Sequence, residues 1–444
     1  MVSLVIVSVF VWVSPGGATP PPSVDAQLAA SQTENAELQE KLDDAQAKLD
    51  AAGRKGDKFT PTPSPTPTPA PTPTAAPDAP TIPESETIVV YRDAESEGQP
   101  HPTSPPKPTV PVAPETVTAP SIASILAPES RYFGMYTSQA PFDFATFDDA
   151  AMDAGSRQSL VGYFGGWDQT YRGDVVTASW KRGLLPMLTW ESRPISAPND
   201  QTVLPEYSLP RILAGDFDAY LHQYAKDIVA TGLPLAIRLD HEMNGTWYPW
   251  SEQKSDGSSL NGNGPGDFVA MWRHVHDIFA AEGANQFVIW TWAPNIVNNL
   301  PTRHQDVSYL QSLYPGDEYV DLVGASGYLR TPFKPENDFT FGYTFDATLD
   351  QLRAITDKPI IIAEVGATET GGHKAAWVTS MFDAFADPAN DDIIGFAWFN
   401  LAVTTISGGE RVTNDWRIDS RADSLAAFAT GLADPAGRFR LIPY

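Results

Sequence analysis

Eight apolar runs of strand length punctuate residues 128–444, with helical spacing between them, and no other property of the chain restricts its fold as strongly. The runs read RYFGMYTS, SLVGYFGG, LLPMLTW, PLAIRLDHE, QFVIWTW, VDLVGASGY, PIIIAEVG and IIGFAWFN. Between them, residues 216–231, 267–282, 345–356 and 374–386 have helical length and periodicity, while the helices after the second and fifth runs are shorter. The runs are too apolar to leave a face in water, so each strand must be covered on both sides. Eight such βα units in about 300 residues predict an α/β fold, a (β/α)8 TIM barrel rather than an open doubly wound sheet. No glycine-rich phosphate loop follows the first strand, which removes the dinucleotide fingerprint.

Ahead of this domain the composition changes three times. Residues 1–23 open with MVSLVIVSVFVWV, an apolar run too short to span a bilayer comfortably, followed by a Ser-Pro-Gly-Gly break. This reads as an export signal, or as a membrane anchor if more chain precedes it. Residues 24–58 contain an Ala/Gln/Glu/Leu heptad pattern with Leu28, Asn35, Leu42 and Leu49 at one seam position. A solvated spacer helix and a weak homodimer through residues 24–52 both fit it. Residues 59–127 are a Pro/Thr-rich linker, opening TPTPSPTPTP after Phe59, extended and expected to stay disordered. The arrangement predicts an extracellular protein, secreted or held at the membrane or cell wall.

Charge and residue types exclude several chemistries. A formal net charge of -26 repels polyphosphates, so no nucleic acid is expected as a partner. With no cysteine, thiolate metal sites, iron–sulfur clusters and cysteine nucleophiles are absent. His241-Glu242 begins like a zinc HExxH motif, but position 245 is Gly, and His274 and His276 lie two apart on different helix faces. No G-x-S-x-G elbow marks a serine nucleophile.

Active sites of TIM barrels form where the strands end. Here strand three ends in Trp190-Glu191, strand four in Asp240-His241-Glu242, strand five in Trp292, strand six in Tyr328, strand seven in Glu364 and strand eight in Trp398 to Asn400. Any single acid at a strand end can be a helix cap or an ion-pair partner. Two glutamates ending the fourth and seventh strands face each other across a barrel mouth, and a carboxyl pair about 5 Å apart is what retaining glycoside hydrolysis requires. The aromatic rings offer flat faces for sugar C–H groups.

The segments RLDHEMNGTWYPWS and KPIIIAEVGATE resemble the acid/base and nucleophile motifs of glycoside hydrolase family 26, and WTWAPN, YPGDEYVDLVGASGY and GFAWFN follow in that family's order. The resemblance covers residues 128–444 and implies a (β/α)8 hydrolase of β-linked polysaccharides with no metal or organic cofactor. It implies Glu242 as acid/base and Glu364 as nucleophile, with Tyr328 donating a hydrogen bond to Glu364. It further implies His241 and Asn244 beside the acid, Trp398 under the sugar next to the cleaved bond, and Trp247, Trp250, Trp292 and Trp167 in flanking subsites. Trp190 and Glu191 join the substrate-binding set. The family's mannanases carry a His after strand three and an Asp two residues before the strand-six Tyr, whereas this chain has Trp190-Glu191 and Ser326; the departure leans toward a glucan, such as mixed-linkage β-1,3-1,4-glucan, or a related β-linked polymer, while β-mannan or glucomannan, the family's usual substrate, stays open. Several rings in separate loops imply an extended, endo-acting cleft. The Gly/Ser/Asn-rich stretch after Trp250 reads as a mobile loop able to close over substrate. A second reading, from another class, is a stalked carbohydrate-binding wall protein whose catalysis is secondary or lost.

Overall fold

The structure is a computed structural model and describes residues 117–199, 201–407 and 410–442. The expected export segment, spacer helix and most of the linker lie outside the described residues. Eight parallel strands close into a barrel in sequence order: β1 (Tyr132–Tyr136), β2 (Leu160–Gly166), β3 (Leu185–Glu191), β4 (Leu235–Leu239), β5 (Val288–Trp292), β6 (Leu322–Leu329), β7 (Ile360–Ala367) and β8 (Ile393–Phe399). Pairing of Tyr132 with Gly395 through Tyr136 with Phe399 shuts the ring. Each of the eight apolar runs in residues 128–444 is therefore a barrel strand.

Helices cover the outside. The linker's last part is helix α1 (Ile122–Leu126), followed by α2 (Ala145–Ala154), α3 (Gly173–Lys181), α4 (Leu209–Leu213), α5 (Asp218–Thr231), α6 (Asp267–Ala281) and α7 (Val307–Ser312), then α8 (Phe341–Ile355), α9 (Lys374–Ala386) and α10 (Ala422–Ala433). The chain leaves α5 through Gly232 at φ 66°, a left-handed turn that suits glycine. One boundary needs correction: Ile122, Ile125 and Leu126 of α1 pack on the core, and Tyr132 Oη donates to Ile125 O at 3.2 Å, so the folded domain starts before residue 128. Burying those apolar groups outweighs the linker's polar composition. An antiparallel hairpin, β9 (Ala402–Ser407) and β10 (Glu410–Asp415), follows β8 and was not expected from the sequence.

Strand side chains alternate between two layers. Inside the barrel near its mouth sit Tyr136, Thr189, Arg238, Ser326 and Glu364, joined by hydrogen bonds. Tyr136 fills the interior so closely that a Cβ on Gly162 would lie 2.4 Å from its ring. Outside, the alternate positions Trp190, Trp292 and Trp398 face the helices and are fully buried. Trp190 stacks on Tyr224 of α5 at 4.4 Å, Trp292 Nε1 donates to Leu313 O at 3.1 Å, and Trp398 packs on Phe428 of α10 at 5.2 Å.

Candidate active site

The inner polar layer converges on Glu364. Arg238, fully buried on β4, donates from Nη1 to Glu364 Oε2 at 2.6 Å and to Thr189 Oγ1 at 3.1 Å, and from Nη2 to the Ser326 hydroxyl. Tyr328 donates its hydroxyl to Glu364 Oε1. Both oxygens of Glu364 thus face donors, and the side chain is held in one orientation at the floor of the mouth.

Glu242 reaches the same space from a strained turn after β4. Asp240 and Glu242 both take left-handed backbone angles, φ 39° and 57°, which cost a non-glycine residue about 1–2 kcal/mol each. Neighbouring strands hold the turn: Asp240 N donates to Trp190 O at 2.9 Å and Glu242 N to Ala293 O at 2.8 Å. Asp240 accepts both the backbone N–H and the hydroxyl of Ser192, each at 2.7 Å. Trp247 Nε1 donates to Glu242 Oε2 at 2.8 Å, and its ring lies where a Cβ on Gly245 would fall 2.6 Å away. The glycine that breaks the zinc motif therefore makes room for the acid's own partner.

Burial pushes the Glu242 carboxyl upward, the charge of Glu364 adds to that, and Arg238 with the Asn295 and Trp247 hydrogen bonds opposes it. Burial is the largest influence, ahead of the neighbouring Glu364 charge. The site thus places a carboxyl whose pKa burial raises beside a second carboxyl held by a guanidinium and a tyrosine hydroxyl, so the two groups have unequal settings.

The other expected residues divide. His241 is buried beside the acid, its ring edge-on to Phe164 at 6.3 Å and 4.8 Å from Tyr248. Burial, then the Arg238 and Arg193 charges, drive its imidazolium form well below the ordinary range, so the ring is neutral. Glu191 faces the mouth, but both its oxygens are held by Arg193, at 3.1 and 3.0 Å. Asn244 is a positioning residue: it donates to Asn295 O and accepts from Asn295 N, both at 2.8 Å, and Asn295 in turn bonds Glu242.

Five tryptophans are corrected. Trp190, Trp292 and Trp398 point away from the mouth into the helix layer, as their strand parity requires. Trp167 packs on Trp190 and Phe217 at 5.3 Å. Trp250 is fully buried, donating to His241 O at 2.8 Å and stacking on Tyr248 at 4.5 Å. The rings that do stand next to Tyr328 are Phe399, at 5.8 Å, and Trp416, at 5.0 Å. Alternation marks Phe399 as inward; Trp416 lies past the hairpin and carried no sequence signal. The stretch after Trp250 is also tied down rather than loose: Asn263 donates to Pro249 O and Ser251 O at 2.9 Å and accepts from Leu209 N at 3.0 Å, while Glu252 accepts from Gly266 N at 2.8 Å. Asn263 and Glu252 are thus used internally. Among the described residues no three His, Asp or Glu side chains gather as a metal cluster.

The model of Glycosyl hydrolase family 26 matches residues 171–396, just over half of the chain. The chain belongs to glycosyl hydrolase family 26. Within that family it is similar to Endoglucanase H of Acetivibrio thermocellus, 33% identical over 278 residues, which are 62% of this chain but 27% of that protein. It is also similar to the mannan endo-1,4-beta-mannosidase of Bacillus subtilis, 23% identical over 266 residues, 54% of this chain and 66% of that one. Its fold resembles a modular endo-beta-1,4-mannanase from Cellulomonas fimi, with TM-score 0.52 and 19% identity across 72% of this chain and 78% of that one. Glu242 and Glu364 both fall inside the stretch matched by the family 26 model.

Proposed function

We propose that the protein is a retaining endo-β-glycanase acting on β-1,4-linked polysaccharide, with Glu242 as acid/base and Glu364 as nucleophile. The observation that carries this reading is the unequal setting of the two carboxyls: Glu242 is driven toward its protonated form by burial and by Glu364, while Glu364 is clamped between Arg238 and Tyr328. Glu364 attacks the anomeric carbon as Glu242 protonates the departing glycosidic oxygen; Glu242 then takes a proton from the water that releases the sugar from Glu364.

For the substrate we infer a β-glucan, including mixed-linkage β-1,3-1,4-glucan. Glu191 and Ser326 stand where the family's mannanase pattern has His and Asp, and both are engaged with arginines of the site. The 33% relative is named an endoglucanase, although the match spans about a quarter of it. A mannan or glucomannan is the second reading, favoured by the Bacillus subtilis relative named a mannan endo-1,4-beta-mannosidase. The apolar run at residues 1–13 and the Pro/Thr-rich stretch support an extracellular location, secreted or attached to the cell surface.

Reducing-sugar release by the full chain on barley mixed-linkage glucan, konjac glucomannan, galactomannan, β-1,3-xylan and carboxymethylcellulose, with Glu364→Ala as the blank, tests the assignment. Release from the glucan and not galactomannan is expected. Proton NMR of the first product should show the β-anomer; an α-anomer would overturn the double displacement.

A further inference from the structure

A cavity of about 360 Å3 lies at the C-terminal end of β2, on the catalytic face but not lined by either glutamate. Its volume falls in the range of about 300–1,000 Å3 typical of small-ligand sites. Phe164 connects it to the active site, lining the cavity and also meeting the ring of His241 next to the acid.

The cavity is built by glycines and fixed side chains. A Cβ on Gly166 would lie 2.4 Å from Ile195 N and 2.6 Å from Arg193 O, so glycine there lets these backbone segments approach, while one on Gly165 would press on Leu188 Cδ1 at 3.0 Å. Asp168 Oδ1 accepts from Ile195 N at 2.8 Å, and Gln169 Oε1 accepts from Gly166 N at 3.1 Å. Each of these side chains keeps one further polar group, a carboxylate oxygen and an amide NH2, with no protein hydrogen-bond partner among the described residues. Beside them Phe142 is 55% exposed, unusual for so large an apolar ring. It is steadied by Tyr163 at 6.5 Å and by the Arg172 guanidinium at 4.9 Å, which Asp174 holds at 2.8 and 2.7 Å.

An open aromatic ring beside one fixed acceptor and one fixed donor matches a neutral ligand with C–H faces and hydroxyl edges. A purely apolar ligand would leave both polar groups dry and unpaired, and an anion would meet the Asp168 carboxylate. We propose that this cavity is a sugar subsite remote from the cleaved bond, with Phe142 as its platform and Asp168 and Gln169 as its hydrogen-bonding groups. The proposal rests on the glycanase reading above and adds a place where a long chain is gripped away from the chemistry.

The test compares the full-length wild type with Phe142→Ala and Phe142→Trp on a ladder of oligosaccharides from the shortest cleaved up to the polymer. Phe142→Ala should lower kcat/KM about fivefold on the long substrates and less than about twofold on the shortest, and Phe142→Trp should keep the wild-type length dependence. An equal loss at every length, or no loss at any, overturns the subsite. Affinity electrophoresis in gels containing each glycan reads binding apart from hydrolysis. Should the wild type cleave none of the glycans, retardation weakened by Phe142→Ala would support the subsite while the hydrolase reading fails. Retardation equal in both proteins, or absent from both, would overturn it.

Discussion

Trp190 and Glu191 are neighbours in sequence, yet they belong to regions with opposite duties. Trp190 stacks among Tyr224, Tyr220 and Phe279 in the helix layer; Glu191 lies in the mouth, bound to Arg193 and 4.0 Å from His241. The same division runs round the barrel, with Trp292 and Trp398 outside and Arg238, Tyr328 and Glu364 inside. Outside, apolar area removed from water stabilises the fold and geometry is forgiving. Inside, charged groups are desolvated, so each depends on a specific partner. Substitutions inside should therefore remove activity as well as stability, and those outside should cost stability while the folded fraction stays active.

The largest expected effect is at Glu364. Glu364→Ala should lower kcat by about 10⁴-fold or more, since it removes the attacking atom, and should also cost stability, since it leaves the buried Arg238 guanidinium without its carboxylate partner. Arg238→Met breaks the inner layer differently, leaving Glu364 without its guanidinium and Ser326 and Thr189 without a donor. We expect kcat/KM to fall about 10²–10³-fold and stability by about 3–5 kcal/mol, measured by initial rates and urea unfolding. Intact activity in this variant would show that Tyr328 alone orients the nucleophile.

On the other side, Trp190→Ala should cost about 3–5 kcal/mol of stability, the usual range for deleting a buried indole, while the folded fraction keeps kcat/KM within about threefold. A large activity loss with unchanged stability would place Trp190 at the substrate after all.

That result bears on what the sequence could disclose. The barrel was legible because eight apolar runs carry their own periodicity, and the meeting of Glu242 and Glu364 at the mouth because the strand ends share one face of the barrel. The tryptophans were misread because position at a strand end was counted without strand parity: Glu191 and Phe399 face the mouth, so Trp190 and Trp398 must face the helices. The same parity count would have found Arg238, four residues before Glu242 within the quoted RLDHE. Trp416 and the β9–β10 hairpin were beyond reach, because that contact is fixed by packing between distant segments. The loop after Trp250 looked mobile because composition does not reveal that Asn263 and Glu252 satisfy backbone groups within and beside it.

The smallest effect expected is a change of slope rather than of magnitude, at Asp240, whose carboxylate joins β4 to the loop after β3. Burial, its largest influence, pushes this carboxyl up to about 7 despite the two hydrogen bonds from Ser192 that favour its charged form. An unfolded Asp titrates near about 3.9, so between roughly pH 4 and 7 the folded chain binds the proton that the unfolded chain has released. The stability from this group is therefore full below about pH 4 and lost as pH rises through about 7, with a slope of at most about 1.4 kcal/mol per pH unit. Asp240→Asn keeps one oxygen for the Ser192 N–H, and its amide can donate to the Ser192 hydroxyl, so the tie persists without a titrating charge. Urea midpoints at pH 4.5, 5.5, 6.5 and 7.5 should then show wild type falling relative to the variant as pH rises. Trp190→Phe, in the outer layer, should instead run parallel to wild type. Parallel curves for Asp240→Asn as well would mean the Asp240 carboxylate is already charged when folded, and that its Ser192 hydrogen bonds outweigh its burial.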